Sequence, residues 1–252
     1  MLVLVTPLGL LALFAIGFVA AVINVLAAGG SFLTLPLLLF LDLPANIANG
    51  TNRVGVLAQN VSAVLGFHRH QILPLRWALK VSGPAVIGAA LGVWAALSVP
   101  DLAFRRILSV VMLVMTLGTL LHRSLGGKLR AEPQNPGHWT MIAGFFFAGL
   151  YGGFLQAGVG FLVLGLTRIA GFDLVRGNAV KVFAVMLLTT LSLGVFAGTG
   201  NVNWPAGLAL GLGNFLGATL GVRVAVLKGH TWIEHVVTVT IVAFAILLWV
   251  TE

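Results

Sequence analysis

The sequence predicts an all-helical, polytopic membrane protein built from two repeats of about five hydrophobic elements each. Of its 252 residues, 59% are hydrophobic and only 8% are charged, too few to solvate the surface of a soluble globule of this size. Apolar stretches of about 20 residues, the length that crosses a bilayer, recur along the chain. An interruption of these stretches by glycine and polar residues occurs twice, about 129 residues apart.

Six apolar stretches are long enough to span a bilayer alone, and four further pieces form two shorter, broken or re-entrant pairs. The long stretches are 7–28, 76–99, 104–122, 139–156, 204–227 and 231–250. The pairs are 31–41 with 46–67, and 159–170 with 177–198.

A polar loop that contains Pro133 and Pro136 separates two sets of five elements. We therefore expect a first transmembrane repeat over 1–122, a cytoplasmic linker over 123–138 and a second transmembrane repeat over 139–252.

The repeat is supported by a second pair of segments. Gly-Ala-Ala-Leu-Gly-Val at 88–93 matches Gly-Ala-Thr-Leu-Gly-Val at 217–222, again 129 residues apart. Each contains two glycines four residues apart, a spacing that allows close helix packing in membranes.

The loop charges predict that the two repeats are inverted. Lysine and arginine accumulate in cytoplasmic loops, and the loop after the third element carries Arg69 and Arg76, whereas its equivalent at 199–203 carries no charge. Both termini would then lie outside, although Arg105 and Arg106 would fall on the outer side against the rule. Each short pair must begin and end on one face, either as a re-entrant hairpin or as two thin crossings.

Composition and motifs exclude several functions. The 14 lysines and arginines outnumber the 6 acids, but they are scattered singly, so we expect no nucleic-acid partner. The chain has no cysteine, no paired carboxylates in one segment and no nucleophile, phosphate or zinc motif, which argues against an enzyme. His68 and His70 do not share a helical face, so neither a metal site nor a cofactor is predicted.

The two glycine-rich interruptions indicate a transport site, because backbone can leave the helix at membrane depth only where it lines a cavity. Arg53 and Lys181 are single cations in apolar surroundings, each soon after a glycine, Gly50 or Gly177. A charge near the bilayer centre is costly and usually faces a polar cavity, and a helix N-terminus favours anions. The predicted site therefore holds a small anion between two helix starts and two cations; the alternative is that both cations only reach toward the lipid headgroups.

Polar neighbours complete the predicted site, although the serine and threonine hydroxyls have their own helix carbonyls as alternative partners. The candidate substrate-binding residues are Gly29, Gly30, Ser31, Thr34, Thr51, Asn52, Arg53, Gln156, Gly158, Gly160, Asn178 and Lys181.

Five other polar residues are assigned structural roles. We expect Asn24, Gln59 and Asn60 to form hydrogen bonds between helices. Asp42 and Asp173 are interpreted as helix N-caps rather than as proton-coupling carboxylates.

Four segments have a recognisable sequence: Ala-Gly-Gly-Ser-Phe-Leu-Thr-Leu-Pro at 28–36, Gly-Thr-Asn-Arg at 50–53, Gln-Ala-Gly-Val-Gly at 156–160 and Gly-Phe-Asp-Leu-Val-Arg-Gly-Asn-Ala-Val-Lys at 171–181. They resemble the TauE/SafE family of sulfite and organosulfonate exporters, within the 4-toluene sulfonate uptake permease group. The resemblance covers essentially the whole chain. Two positions depart from the family pattern, which commonly has a third glycine where this chain has Ala28 and often has Thr-Ser after the equivalent of Gly50.

The resemblance implies a secondary transporter, expected to export small sulfur-containing anions such as sulfite, sulfoacetate or other organosulfonates. The protein would lie in the bacterial cytoplasmic membrane, with the lipid bilayer and the anion as partners and a homodimer left open. Three alternatives remain: a carrier of small carboxylates, an anion channel, and a membrane scaffold that transports nothing.

Overall fold

The structure is a computed structural model that describes residues 6–27, 30–124 and 137–250. Within these ranges all regular structure is helical, as predicted. The helices are α1 Pro7–Ala27, α2 Ser31–Phe40, α3 Ala45–Arg69, α4 Leu75–Ser98, α5 Asp101–Ser124, α6 His138–Phe154, α7 Val159–Ile169, α8 Leu174–Gly198 and α9 Trp204–Val250.

One predicted loop is helical instead. The sequence predicts separate elements at 204–227 and 231–250, with a loop at Lys228, but α9 continues through both. The intervening segment has no proline, and its single Gly229 costs a helix only about 1 kcal/mol. That cost does not stop a helix with long apolar flanks.

Two kinds of helix make up the described molecule. Four segments are long and apolar enough to cross a membrane: Pro7–Leu26, Leu75–Ser98, Leu174–Gly198 and Trp204–Leu227. By contrast, α2 and α7 have 10 and 11 residues. At 1.5 Å per residue they reach about halfway through a hydrocarbon core of about 30 Å. Within the described part of the chain, these are the two short apolar helices.

The helix ends reproduce the 129-residue repeat. The second residue after α2 and after α7 has positive φ: Asp42 (60°) and Gly171 (88°). The same holds after α3 and α8, both of 25 residues, at Gln71 (56°) and Gly200 (73°). All four ends have the paired backbone hydrogen bonds of a Schellman motif, and both pairs of positions are 129 residues apart. The inverted orientation and the three-part division of the chain stay predictions.

The predicted N-cap role is confirmed for Asp173 and wrong for Asp42. Asp173 accepts hydrogen bonds from the backbone N–H groups of Val175 and Arg176, both at 2.9 Å. Asp42 lies at the end of α2 instead, because α3 begins three residues later, after Pro44.

A carboxylate from another helix accepts a hydrogen bond from the start of α3. The backbone N–H of Ala45 donates to Asp101 at the start of α5. Arg105 binds the same carboxylate through Nε at 2.7 Å and the Leu43 carbonyl through Nη2 at 3.1 Å. The start of α5 thus fixes the α2–α3 turn.

The two halves of the chain interlock. α1 packs mainly on α9, and α4 packs on α6. Of the two central helices, α3 packs mainly on α9 and α8 packs on α4, and the two contact each other. A Cβ on Gly88 would collide with the carbonyl of Phe146, and one on Gly217 with that of Phe18. The predicted glycine packing motifs are therefore confirmed, and α3 and α8 lie between the two layers that these motifs hold together.

Candidate functional site

The two predicted cations are buried on the central helices, but neither helix begins at the predicted glycine. α3 begins at Ala45 and α8 at Leu174, so Gly50 and Gly177 lie inside their helices. The N–H of Gly177 already donates to the Asp173 carbonyl at 2.8 Å. The expectation that free helix-start N–H groups at these glycines bind an anion is therefore wrong.

Gly50 and Gly177 have a packing role instead. A Cβ at Gly50 would collide with the Asn201 carbonyl, and one at Gly177 would stand 2.7 Å from Oγ1 of Thr167. Each glycine lets a central helix lie against a neighbouring segment.

Arg53 is fully buried and points at the end of α6. Its Nη1 donates to the Gly152 carbonyl at 3.2 Å and to Oε1 of Gln156 at 2.7 Å, and its Nη2 donates to the Gly153 carbonyl at 2.5 Å. The Cζ atom stands 4.9 Å from the ring centroid of Phe196. The carbonyls of a last helical turn have no partner within their helix, so Arg53 satisfies groups that the break in α6 leaves open.

Lys181 has the reciprocal position at the end of α1. It is 3% exposed, and its Nζ donates to the Asn24 carbonyl at 2.7 Å, within the last turn of α1. Each half therefore supplies a cation to the end of the other half's first helix. The acceptors Asn24 and Gly153 are 129 residues apart, so they match in the repeat.

A small cavity lies between the two breaks, next to Lys181. Its volume is about 10 Å³, close to the minimum that one water molecule needs. The walls come from α1, α2, α3, the α6–α7 connection, α7 and α8, so they include residues of both breaks. The lining residues are Asn24, Ser31, Val56, Asn60, Gln156, Gly158, Val159, Gly160, Lys181 and Val185.

Five of the predicted site residues meet at this cavity: Ser31, Gln156, Gly158, Gly160 and Lys181. The other predicted residues that the structure describes do not line this cavity. Gly29 lies outside the described residues.

Thr34, Asn52 and Thr51 face other partners. Thr34 donates from Oγ1 to Oδ1 of Asn52 at 2.6 Å, which joins α2 to α3. Oγ1 of Thr51 accepts from the backbone N–H of Asn203 at 2.9 Å, in the α8–α9 connection. Both contacts hold α3 in place without reaching the cavity.

Asn178 and Gly30 also lie off the cavity. Asn178 is fully buried, and neither polar atom of its side chain has a hydrogen-bond partner among the described residues. Gly30 precedes α2 and lies so close to α1 that a Cβ would collide with the Ala20 carbonyl.

The α6–α7 connection has an unusual backbone. Gln156 has φ 66° and Gly158 has φ 79°, both in the left-handed region that glutamine rarely adopts. Oε1 of Gln156 accepts from Arg53, and its Nε2 donates to Oγ1 of Thr189 on α8 at 2.9 Å. A non-glycine residue keeps such a backbone only where its surroundings hold it, and residues of this kind are common at functional sites.

Sequence reasoning missed two polar residues of the cavity. Asn24 and Asn60 line it, although the sequence predicts for both only a role in hydrogen bonds between helices. That role is confirmed for Asn24 with Gln59, at 3.1 Å, but is wrong for Asn60, which donates to the Val56 carbonyl of its own helix at 2.8 Å. The spacing of Val56 and Asn60, one turn apart, could have placed both on one face of α3.

This architecture, with apolar helices that could span a bilayer, two half-length helices and a buried polar cavity between two helix breaks, is that of a membrane transporter. Residues 13–248 match the family described as sulfite exporter TauE/SafE. The chain belongs to this TauE/SafE sulfite exporter family and is an integral protein of a bacterial membrane.

The relatives agree with this assignment. The chain is 31% identical to the probable membrane transporter protein ORF9 of Sinorhizobium sp over 237 residues, which cover 94% of this chain and 90% of the relative. It is 30% identical to a probable membrane transporter protein of Haemophilus influenzae, over 90% and 89% of the two chains. It is 31% identical to the probable membrane transporter protein YfcA of Escherichia coli, over 94% and 88%. These relatives are named as transporters rather than enzymes, and no solved structure gives a significant match to the chain.

Proposed function

We propose that the protein is a secondary carrier that exports small sulfur-containing anions, such as sulfite, sulfoacetate or other organosulfonates, by alternating access at the cavity beside Lys181. The observation that carries the proposal is the position of Lys181: an ammonium on the wall of a buried cavity between both helix breaks. The direction, outward, is supported by the description of the family.

The charge around Lys181 favours an anion as its partner. Among the described side chains the carboxylates are Asp42, Asp101 and Asp173, and all three lie at helix ends rather than on the cavity wall. A buried charge without a counter-charge is costly, so an anion in the cavity would supply what the protein does not.

The remaining donors favour a head group with several oxygens. Lys181 uses one of its three N–H groups on Asn24, and the hydroxyl of Ser31 lies on the opposite helix pair. A sulfite or sulfonate group presents three oxygens in different directions, whereas a carboxylate presents two in a plane. These donors suit the sulfur anions better than the carboxylates.

The size of the cavity supports transport by alternating access. About 10 Å³ is too small for an anion of four or more heavy atoms, so this form of the protein is closed around the site. Binding would require the helices around the breaks to separate, which in carriers happens on one side at a time.

Exchange across a membrane tests the proposal. We expect proteoliposomes loaded with labelled sulfite or sulfoacetate to lose the label faster when the same unlabelled anion is added outside. Lys181→Met should slow this exchange about tenfold or more, because a hydrogen bond to a charged group contributes about 1.5–3 kcal/mol. Lys80→Met is the matched control, since Lys80 is exposed on α4, and should exchange at the wild-type rate.

Three results would contradict the proposal. Efflux that is unchanged by external anion would indicate a channel rather than a carrier. Acceleration by pyruvate alone, with none by the sulfur anions, would assign the site to carboxylates. Wild-type exchange by Lys181→Met would remove Lys181 from the site.

A further inference from the structure

Arg53 and Lys181 differ in their hydrogen-bond partners and in whether they line the cavity. Arg53 directs both terminal nitrogens at protein oxygens: two carbonyls of α6 and the side chain of Gln156. It does not line the cavity, and Phe196 covers one face of its guanidinium. Lys181 lines the cavity, and its one hydrogen bond to a described residue is to Asn24.

The chemistry of the two side chains suits this difference. A guanidinium is a rigid fork with five N–H donors, which can hold several fixed oxygens at once. The end of α6 carries partial negative charge, which offsets the charge of Arg53 without an anion. An ammonium on a flexible stem can turn from one carbonyl to a ligand more easily.

Arg53 nevertheless reaches the cavity through an intermediary. Gln156 lines the cavity, and its amide is fixed by Arg53 at one atom and by Thr189 at the other. Its left-handed backbone lies three residues after Gly153, whose carbonyl Arg53 holds. Arg53 therefore sets both the side chain and the backbone of a residue on the cavity wall.

We propose that Arg53 is a positioning residue that acts through Gln156 and the end of α6, so that Lys181 is the cation that contacts the transported anion. This inference rests on the proposed function. It replaces a site of two equivalent cations by one cation that binds and one that keeps the α6–α7 break in shape while the cavity opens and closes.

Separate measurements of binding and turnover test this division. In purified protein and proteoliposomes, Arg53→Lys should keep the dissociation constant for sulfoacetate within about threefold of wild type, since it leaves Lys181 untouched. Its maximal exchange rate, at saturating anion, should fall about tenfold, because one ammonium cannot replace the bonds to Gly152, Gly153 and Gln156. Lys181→Met should instead weaken binding about tenfold or more.

A second variant tests the route through Gln156. Gln156→Ala should lower the maximal exchange rate as Arg53→Lys does, and the double variant should be no slower than about twofold below either one. Independent residues would multiply their effects to about a hundredfold loss. Arg69→Lys, at the exposed end of α3, is the control and should change neither binding nor exchange.

Each contrary outcome has a distinct meaning. If Arg53→Lys weakens binding as much as Lys181→Met does, Arg53 contacts the anion and the inference is wrong. If Arg53→Lys lowers only the melting temperature, with binding and exchange rate preserved, its role is structural and the inference is again wrong. If wild-type protein binds and exchanges none of the tested anions, the proposed function fails and the inference with it.

Discussion

At the scale of single residues, Arg53 and Lys181 differ in the direction in which their side chains leave the central helices. Under the 129-residue repeat, the equivalent of Arg53 is Val182, one position beyond Lys181. Neighbouring residues on a helix point about 100° apart, since 3.6 residues make a turn. The acceptors Asn24 and Gly153 do match, so two side chains of different length reach matched carbonyls from unmatched positions.

The sequence could therefore predict both buried cations but not their partners. Each stands out as a single charge in apolar sequence, a signal that depends on composition alone. What each binds depends on helix rotation and on where α1 and α6 end. The sequence placed the unpaired backbone groups at helix starts, whereas the structure shows the cations on the carbonyls of helix ends.

The backbone of the α6–α7 break gives a prediction at this scale. Gly158 has φ 79°, and a Cβ there would stand 2.5 Å from Cζ of Phe32. Gly158→Ala should destabilise the protein by about 1–2 kcal/mol, the cost of a left-handed L-residue. Thermal unfolding in detergent measures it.

Gly165→Ala is the matched control. Gly165 lies inside α7, the helix that begins directly after Gly158, and a Cβ there would meet nothing within 4 Å. This variant should be neutral or stabilise by up to about 1 kcal/mol, because alanine favours a helix over glycine. Equal effects of the two substitutions would contradict the account of the break.

At the scale of helices, sequence signals predict structure correctly where cause and effect lie within a few residues of each other. Apolar length predicts most helices to within a few residues, and the predicted cap Asp173 accepts its hydrogen bond from an N–H only two residues away. The contribution of Asp101 to the start of α3 was not predictable, because 56 residues separate it from Ala45. By contrast, the loop predicted at Lys228, between two apolar stretches, is wrong, because α9 is continuous there.

The contact between α5 and the start of α3 is testable. Asp101→Ala should destabilise the protein by about 1 kcal/mol, the usual effect of losing an acceptor at a helix start, and should free Arg105 from its ion pair at 2.7 Å. Denaturant or thermal unfolding in detergent reports the change.

Asp42→Asn is the control for this substitution. Asp42 is exposed, and asparagine tolerates its left-handed backbone. A loss of stability in Asp42→Asn as large as that in Asp101→Ala would show that the α2–α3 turn depends on its own residue rather than on α5.

At the scale of the whole molecule, the packing of one half against the other determines the site. α1 lies on α9 and α4 on α6, so the helix ends of one half reach the central helix of the other. Sequence predicted the repeat, and the family follows from the match over most of the chain. The sequence could not predict that the halves interlock, since nothing in a single segment specifies a partner more than 100 residues away.

The closed cavity makes alternating access the central claim about the whole molecule. The chain has no cysteine, so one introduced thiol can be followed without further changes. Ser31→Cys places that thiol on the cavity wall with little change in size. His70→Cys, in the exposed turn after α3, marks one side of the membrane as a control.

The most direct test is the labelling of Ser31→Cys in oriented membrane vesicles by a membrane-impermeant thiol reagent, added in turn from each side, with and without sulfoacetate. We expect slow labelling from both sides, protection by sulfoacetate, and loss of this protection when Lys181→Met is added, while His70→Cys reacts from one side only. Labelling of Ser31→Cys from a single side, or labelling that sulfoacetate does not slow, would contradict a carrier with its anion beside Lys181.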